Sequence, residues 1–213
     1  LIGFLSWFFT KDNKQELSLS DGFVITVLFW IVLSVSGSIP FILFGFGVVD
    51  SFFESMSGIT TTGATVIAGL DDLPKSLLIY RQLLQWLGGM GLIVLAIAVM
   101  PLLGIGGGQL FKTQTPGPMS EQRLTPRITS TARALWSIYF VLTVLCIFAY
   151  RLAGMSYFDA VSHAFSTVSI GGFSTHDLSI GFFNSLSVEI VCITFMLLSA
   201  MSFAVHYSAI YRK

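Results

Sequence analysis

Residues 50–65 read DSFFESMSGITTTGAT, and residues 159–174 read DAVSHAFSTVSIGGFS. Asp50 and Asp159 stand 109 positions apart, as do Gly63 and Gly172, with no gap between. Each stretch leads into a glycine-centred turn and lies between two much longer apolar segments. A long–short–long hydrophobic pattern used twice predicts two re-entrant loops, each dipping into a membrane between two spanning helices.

Composition agrees. Of 213 residues, 54% are hydrophobic and 10% charged, where a soluble domain carries about 25% charged residues. The formal net charge is zero, which implies no general attraction to nucleic acid. Cys146 and Cys192 fall inside predicted spans, where a thiol packs as a small apolar side chain rather than in a disulfide framework or metal site. The chain opens on Leu1 with no basic leader, and Leu1–Phe9 reads as the tail of an apolar helix. It stops at Arg212–Lys213, just past a hydrophobic span. The expectation is a fragment of a longer membrane protein.

Charge-free runs mark the spans: Gly22–Val49, Gln82–Phe111, Ala134–Tyr150 and Ile190–Tyr211. Each can hold a spanning helix of about 20 residues, or about 17 at the lower limit. The third is expected to continue past Arg151 if that side chain snorkels to the interface. Ser55–Leu70 and Ala160–His176 are shorter and interrupted by Gly, Ser and Thr. At 1.5 Å per residue a helix over the first reaches about 24 Å, against a hydrocarbon core of about 30 Å. Irregular backbone at such depth is tolerated only beside protein or a water-filled cavity. Ser51, three residues before Glu54, has the spacing of a capping box. Ser156 before Asp159 is its shorter-armed version. The short helices should run to about Thr60 and Ser169, their negative dipole ends facing the cavity.

Basic residues set the orientation. Lys11, Lys14, Lys112, Arg123, Arg127, Arg133, Arg212 and Lys213 fall on one side, and Lys75, Arg81 and Arg151 on the other. The excess places both ends of the chain in the cytoplasm and the loop entrances outside. Asp50, Glu54, Asp71, Asp72, Asp159, Asp177 and Glu189 share that outer side, an acidic vestibule that would concentrate cations. The chain divides into a leading segment (1–20), a first helix–loop–helix repeat (21–111), a cytoplasmic linker (112–130) and a second repeat (131–213).

The loop tips carry the chemistry. Removing water from a monovalent cation requires several oxygens in its place, and backbone carbonyls turned to one side supply them without adding full charge. Glycine permits the dihedrals this needs. Thr60-Thr61-Thr62-Gly63-Ala64 and Ser169-Ile170-Gly171-Gly172-Phe173 are the two candidate strands. Thr hydroxyls can add ligands or brace the strand. Ile170 cannot coordinate by its side chain, so equivalent ligands there are carbonyls.

The segments FFESMSGITTTGATV, YRQLLQWLGGMGLIVLAIAVMPLLGIGG, PGPMS and HAFSTVSIGGFSTHD strongly resemble the Trk/Ktr/HKT potassium transporter superfamily over essentially the whole chain. The resemblance implies an all-α membrane protein of repeats like K⁺-channel subunits, this chain matching the first two of four. It implies K⁺ uptake through a filter at Thr61, Thr62, Gly63, Ile170, Gly171 and Gly172, with ion-facing oxygens at Thr61, Thr62, Ile170 and Gly171. Gly63 rather than serine favours potassium over sodium. The resemblance further implies a bacterial inner-membrane location among membrane lipid, a homodimer, and a cytosolic nucleotide-binding regulatory subunit of the TrkA type. The Lys112–Arg133 linker would face that subunit. No organic cofactor is expected.

Other residues read more plainly. Gly88, Gly89 and Gly91 suit close helix packing, and Pro40 and Pro101 suit a kink or a helix end. His163, aligned with Glu54, reads as a structural hydrogen-bonding residue, and His176-Asp177 as bracing or vestibule lining. His206 has no second ligand at metal spacing. No catalytic constellation, P-loop or zinc motif is present, so an enzyme is not expected. Two rival readings are a cation-coupled secondary transporter with broken helices and a non-conducting membrane scaffold.

Overall fold

A computed structural model of the chain describes residues 19–102 and 128–201, with side chains over 21–91 and 135–201. All regular structure among these residues is helical. In order come α1 (Leu19–Phe44), α2 (Val48–Ile59), α3 (Lys75–Leu102), α4 (Ile128–Leu152), α5 (Tyr157–Val168) and α6 (Leu186–Ala200), with single 3₁₀ turns at Leu70–Asp72 and Ser179–Phe183.

Burial is inverted relative to a water-soluble protein. Glu54 and Arg81 are 0% exposed, while Leu43 is 82% and Val49 80% exposed. Apolar side chains on α1 and α4, Phe23, Val32, Phe140 and Phe148 among them, face outward. In lipid that arrangement costs nothing, and charged side chains such as Glu54 and Arg81 gather inside, where they pair. α1 is apolar on all sides, as expected of a helix surrounded by hydrocarbon. By length and composition, α1 from Asp21 and α4 from Leu135 can each cross a membrane, and α6 is apolar over its described length.

The helices form two groups joined at one seam. α1 and α3 hold α2 between them, and α4 and α6 hold α5. α3 crosses to the second group by packing on α5 and α4. Phe41, Ile59, Ile67, Leu70, Leu77, Leu78 and Leu84 form one core. Tyr139, Cys146, Tyr150, Ala160, Ala164 and Val188 belong to the other.

Both leading helices end alike. Gly45 (φ +110°) and Gly154 (φ +103°) take left-handed backbone, which a side chain would oppose. Gly45 N donates to Ile42 O and Phe46 N to Phe41 O; Gly154 N donates to Arg151 O and Met155 N to Tyr150 O. These are the paired bonds of a Schellman stop. The Phe41 and Phe46 rings close the first, centroids 6.5 Å apart. Gly45, not Pro40, therefore terminates α1.

Some boundaries differ from expectation. α3 begins at Lys75 instead of Gln82, drawing Arg81 into the helix. α4 does run past Arg151, whose Nη1 bonds Met155 O at 2.6 Å while the guanidinium lies 4.2 Å over the Tyr157 ring. His206 and every basic residue assigned to the cytoplasmic side lie outside the described side chains.

Candidate functional site

α2 and α5 are each 12 residues long, and both their first and their last residues are 109 apart (48 and 157, 59 and 168). α5 starts as expected: Ser156 Oγ accepts from Asp159 N at 3.1 Å and donates to Asp159 Oδ2 at 2.6 Å. The expected Ser51–Glu54 box does not form. The N-cap of α2 is Gly47, Ser51 lies inside the helix with its hydroxyl unpartnered, and Glu54 points elsewhere. The repeat carried the correcting signal, because Gly47, not Ser51, stands 109 before Ser156.

The ends of α2 and α5 turn identically. Thr60 N bonds Met56 O, Thr61 N bonds Gly58 O and Thr62 N bonds Ser57 O. Ser169, Ile170 and Gly171 repeat these bonds to Phe165, Thr167 and Ser166. Thr61 (φ +55°) and Ile170 (φ +56°) then adopt left-handed backbone, followed two residues later by Gly63 (φ +78°) and Gly172 (φ +86°). A non-glycine residue in this region costs about 1–2 kcal/mol, and the same cost recurs at the same place in both loops. Thr60 Oγ1 donates to Met56 O and lies 2.7 Å from Thr62 Oγ1. Its one proton being committed, Thr62 is the donor, so this hydroxyl braces the turn.

The loops meet at their tips. A Cβ on Gly63 would fall 2.0 Å from Gly171 O, and one on Gly171 would fall 2.4 Å from Gln85 Cδ. A Cβ on Gly172 would meet no atom within 4 Å. Thr62, Ile170 and Gly172 are exposed, Thr61 and Gly63 half-buried, and Gly171 buried.

Behind the tips lies a polar network that the sequence reading did not assemble. Arg81 Nε donates to Glu54 Oε1 at 2.8 Å, Nη2 to Thr65 Oγ1 at 3.0 Å and Nη1 to Ser174 O at 3.1 Å. Its guanidinium carbon lies 4.4 Å from the Phe173 ring centroid. Thr65 Oγ1 donates to the Glu54 carboxylate, and Val66 N donates to Glu54 Oε2. Glu54 is thus a buried, neutralised carboxylate and not part of an acidic vestibule, and Arg81 is not an outer surface charge. In the second loop His163 spans Asp159 O and Ser174 Oγ, each at 2.9 Å, the structural role expected of it. Gln85 Oε1 accepts from Phe173 N at 3.1 Å. Gly88 and Gly89 serve close packing: a Cβ on Gly88 would fall 1.9 Å from Ile59 O, and one on Gly89 would fall 2.9 Å from Tyr139 Oη.

Past the tips, the loops are clamped together. Asp177 accepts from Gly69 N and Leu70 N, and His176 Nδ1 bonds Asp71 Oδ1. That bond holds the Asp71 carboxyl below the ordinary aspartate range. His176 stacks on Phe182, which fits the bracing role.

What sequence reasoning missed is Arg81 and Gln85. A basic residue within reach of a helix interior was the available signal, since an intramembrane charge is retained only with a partner.

The arrangement provides two strained backbone turns at the C-terminal ends of the short helices α2 and α5. Residues 1–213 match the family model for TrkH, described as cation transport protein. The chain is 54% identical to Trk system potassium uptake protein TrkH of Vibrio parahaemolyticus, over 97% of this chain and 43% of that protein. It is 50% identical to Trk system potassium uptake protein TrkG of Escherichia coli, over 100% of this chain and 44% of that one. The crystal structure of the potassium transporter TrkH from Vibrio parahaemolyticus superimposes with a TM-score of 0.81 at 52% identity, covering 98% of this chain and 42% of that one. The chain therefore spans less than half the length of these relatives. The relatives are transporters, not enzymes, and their fold agrees with the all-helical membrane architecture described above. The chain belongs to the TrkH family of cation transport proteins.

Proposed function

We propose that this chain forms two of the filter strands of a potassium uptake pathway, in the ion-conducting subunit of a Trk-type system. Carbonyls of Thr61, Thr62, Ile170 and Gly171 stand in for the water that K⁺ sheds, with Gly63 and Gly172 permitting the strand to turn. The observation that carries this reading is the identical succession of left-handed residues in both loops, Thr61 then Gly63 and Ile170 then Gly172. Alternating the sign of φ rotates successive peptide planes, which is how carbonyls come to share one side. Two strands cannot surround an ion; on this reading the remaining ones come from beyond the residues matched here, the relatives being more than twice as long. The same reading divides the chain into two helix–loop–helix repeats, 21–111 and 131–213, after a leading segment (1–20) and joined by a cytoplasmic linker (112–130). It places them in the bacterial inner membrane with the loops entering from outside. It assigns the linker to a cytosolic nucleotide-binding subunit of the TrkA type, and the whole to a homodimer.

The test is rubidium and sodium uptake by the full-length protein carrying Gly63→Ser or Gly172→Ser. Gly63→Ser should strongly raise sodium relative to rubidium uptake, because its Cβ would strike Gly171 O. Gly172→Ser should act more weakly, through backbone strain alone. An unchanged ratio in both, with normal protein in the membrane, would rule the filter out.

A further inference from the structure

Arg81 grips both loops at the same level. Thr65 lies two residues beyond Gly63, and Ser174 lies two beyond Gly172. One arm of the guanidinium reaches the Thr65 hydroxyl and the other the Ser174 carbonyl, while Nε is held by Glu54. Arg81 and Glu54 are both 0% exposed, so no bulk water substitutes for these bonds. A planar fork fixes the separation of the groups it joins; a lysine ammonium carries the charge without that geometry. The position 109 after Arg81 is Ile190, 54% exposed, so the second group has no arginine at the matching place, and Arg81 reaches its backbone from the first.

We infer that Arg81 is a specificity-determining positioning residue: by tying the first loop to the backbone of the second, it sets the spacing of the two filter strands and hence the discrimination between potassium and sodium. It touches no ion. Its three bonds and the Phe173 face against its plane leave the fork no freedom to turn. The separation of Thr65 from Ser174 is therefore carried by one rigid side chain, and a strand displacement of a few tenths of an ångström there reaches Gly63 and Gly171, whose backbones are already in contact. This inference rests on reading the two strands as a filter.

The decisive variant is Arg81→Lys in the full-length protein, which keeps a cation beside Glu54 but lacks the fork. Rubidium and sodium uptake are measured against Thr65→Val, which removes the shared hydroxyl from the strand side, and against Gly63→Ser. Arg81→Lys should lower the rubidium-to-sodium ratio about tenfold, the scale of one lost bond to a charged group. Thr65→Val should shift it in the same direction by less. If Gly63→Ser changes the ratio and Arg81→Lys, present at normal abundance, does not, the inference fails while the filter stands. If Gly63→Ser also leaves the ratio unchanged, the filter reading itself has failed. If neither Arg81→Lys nor Thr65→Val reaches the membrane, the joint is structural only and the inference is overturned.

Discussion

Behind the first loop a buried carboxylate, a guanidinium and a hydroxyl meet; at the matching place behind the second stand an imidazole and a hydroxyl. Glu54 corresponds to His163 and Thr65 to Ser174, each pair 109 apart. In both loops the helix side chain reaches the residue 11 ahead, Glu54 to Thr65 and His163 to Ser174. The turn itself is the same in both, down to its backbone hydrogen bonds and its two left-handed residues. The difference teaches that the turn is set by the backbone, while different side-chain chemistry can stand behind it. One brace pairs a carboxylate with a guanidinium and is shared between the loops, and the other joins an imidazole to a hydroxyl within one loop.

The sharpest way to break the comparison is to remove one member of each brace. Arg81→Met strands the Glu54 carboxylate, and breaking a buried pair costs about 3–5 kcal/mol. His163→Gln should cost about 1–2 kcal/mol, since hydrogen bonding is only partly lost. Thermal unfolding in detergent ranks the two. Equal losses would mean that the carboxylate–guanidinium brace is no stronger than the imidazole–hydroxyl one.

A second contrast concerns packing. Gly88→Ala drives a methyl into Ile59 O and should cost about 1–3 kcal/mol by overpacking. Its counterpart 109 residues on, Leu197, is 65% exposed. Leu197→Ala should stay within about 0.5 kcal/mol, as for surface positions. A folded Gly88→Ala protein of unchanged melting temperature would remove the close approach of α2 to α3.

The helix starts differ more mildly. Ser156→Ala removes a cap worth about 1 kcal/mol. Ser51→Ala should leave stability unchanged or raise it, because its buried hydroxyl bonds nothing. The smallest effect is the pH response of the outer clamp. Asp71 has a depressed folded-state pKa, so its contribution is present above the ordinary aspartate value and fades as pH falls through the depressed one. Melting followed downward from pH 5 should fall less steeply in Asp71→Asn than in the parent.

The register of the two loops was legible because a repeat is a one-dimensional property. Fixing Gly63 on Gly172 also fixes Gly45 on Gly154 and Gly47 on Ser156, and the helix ends follow. Ser51 misled because a short motif weighs local spacing alone. Arg81 misled because counting basic residues by side treats each as an interfacial charge.

The sequence by itself determined that the chain is a helical membrane protein, where its two short helices end and where the glycines of their turns fall, because hydrophobic length and glycine placement act locally along the chain. Only the tertiary structure decided that Glu54 is neutralised rather than exposed and that one arginine holds both loops. Those facts depend on a guanidinium meeting a carboxylate 27 residues away and a backbone carbonyl 93 residues away, out of water, where the energy of a charge is set by the groups around it rather than by its neighbours in the chain.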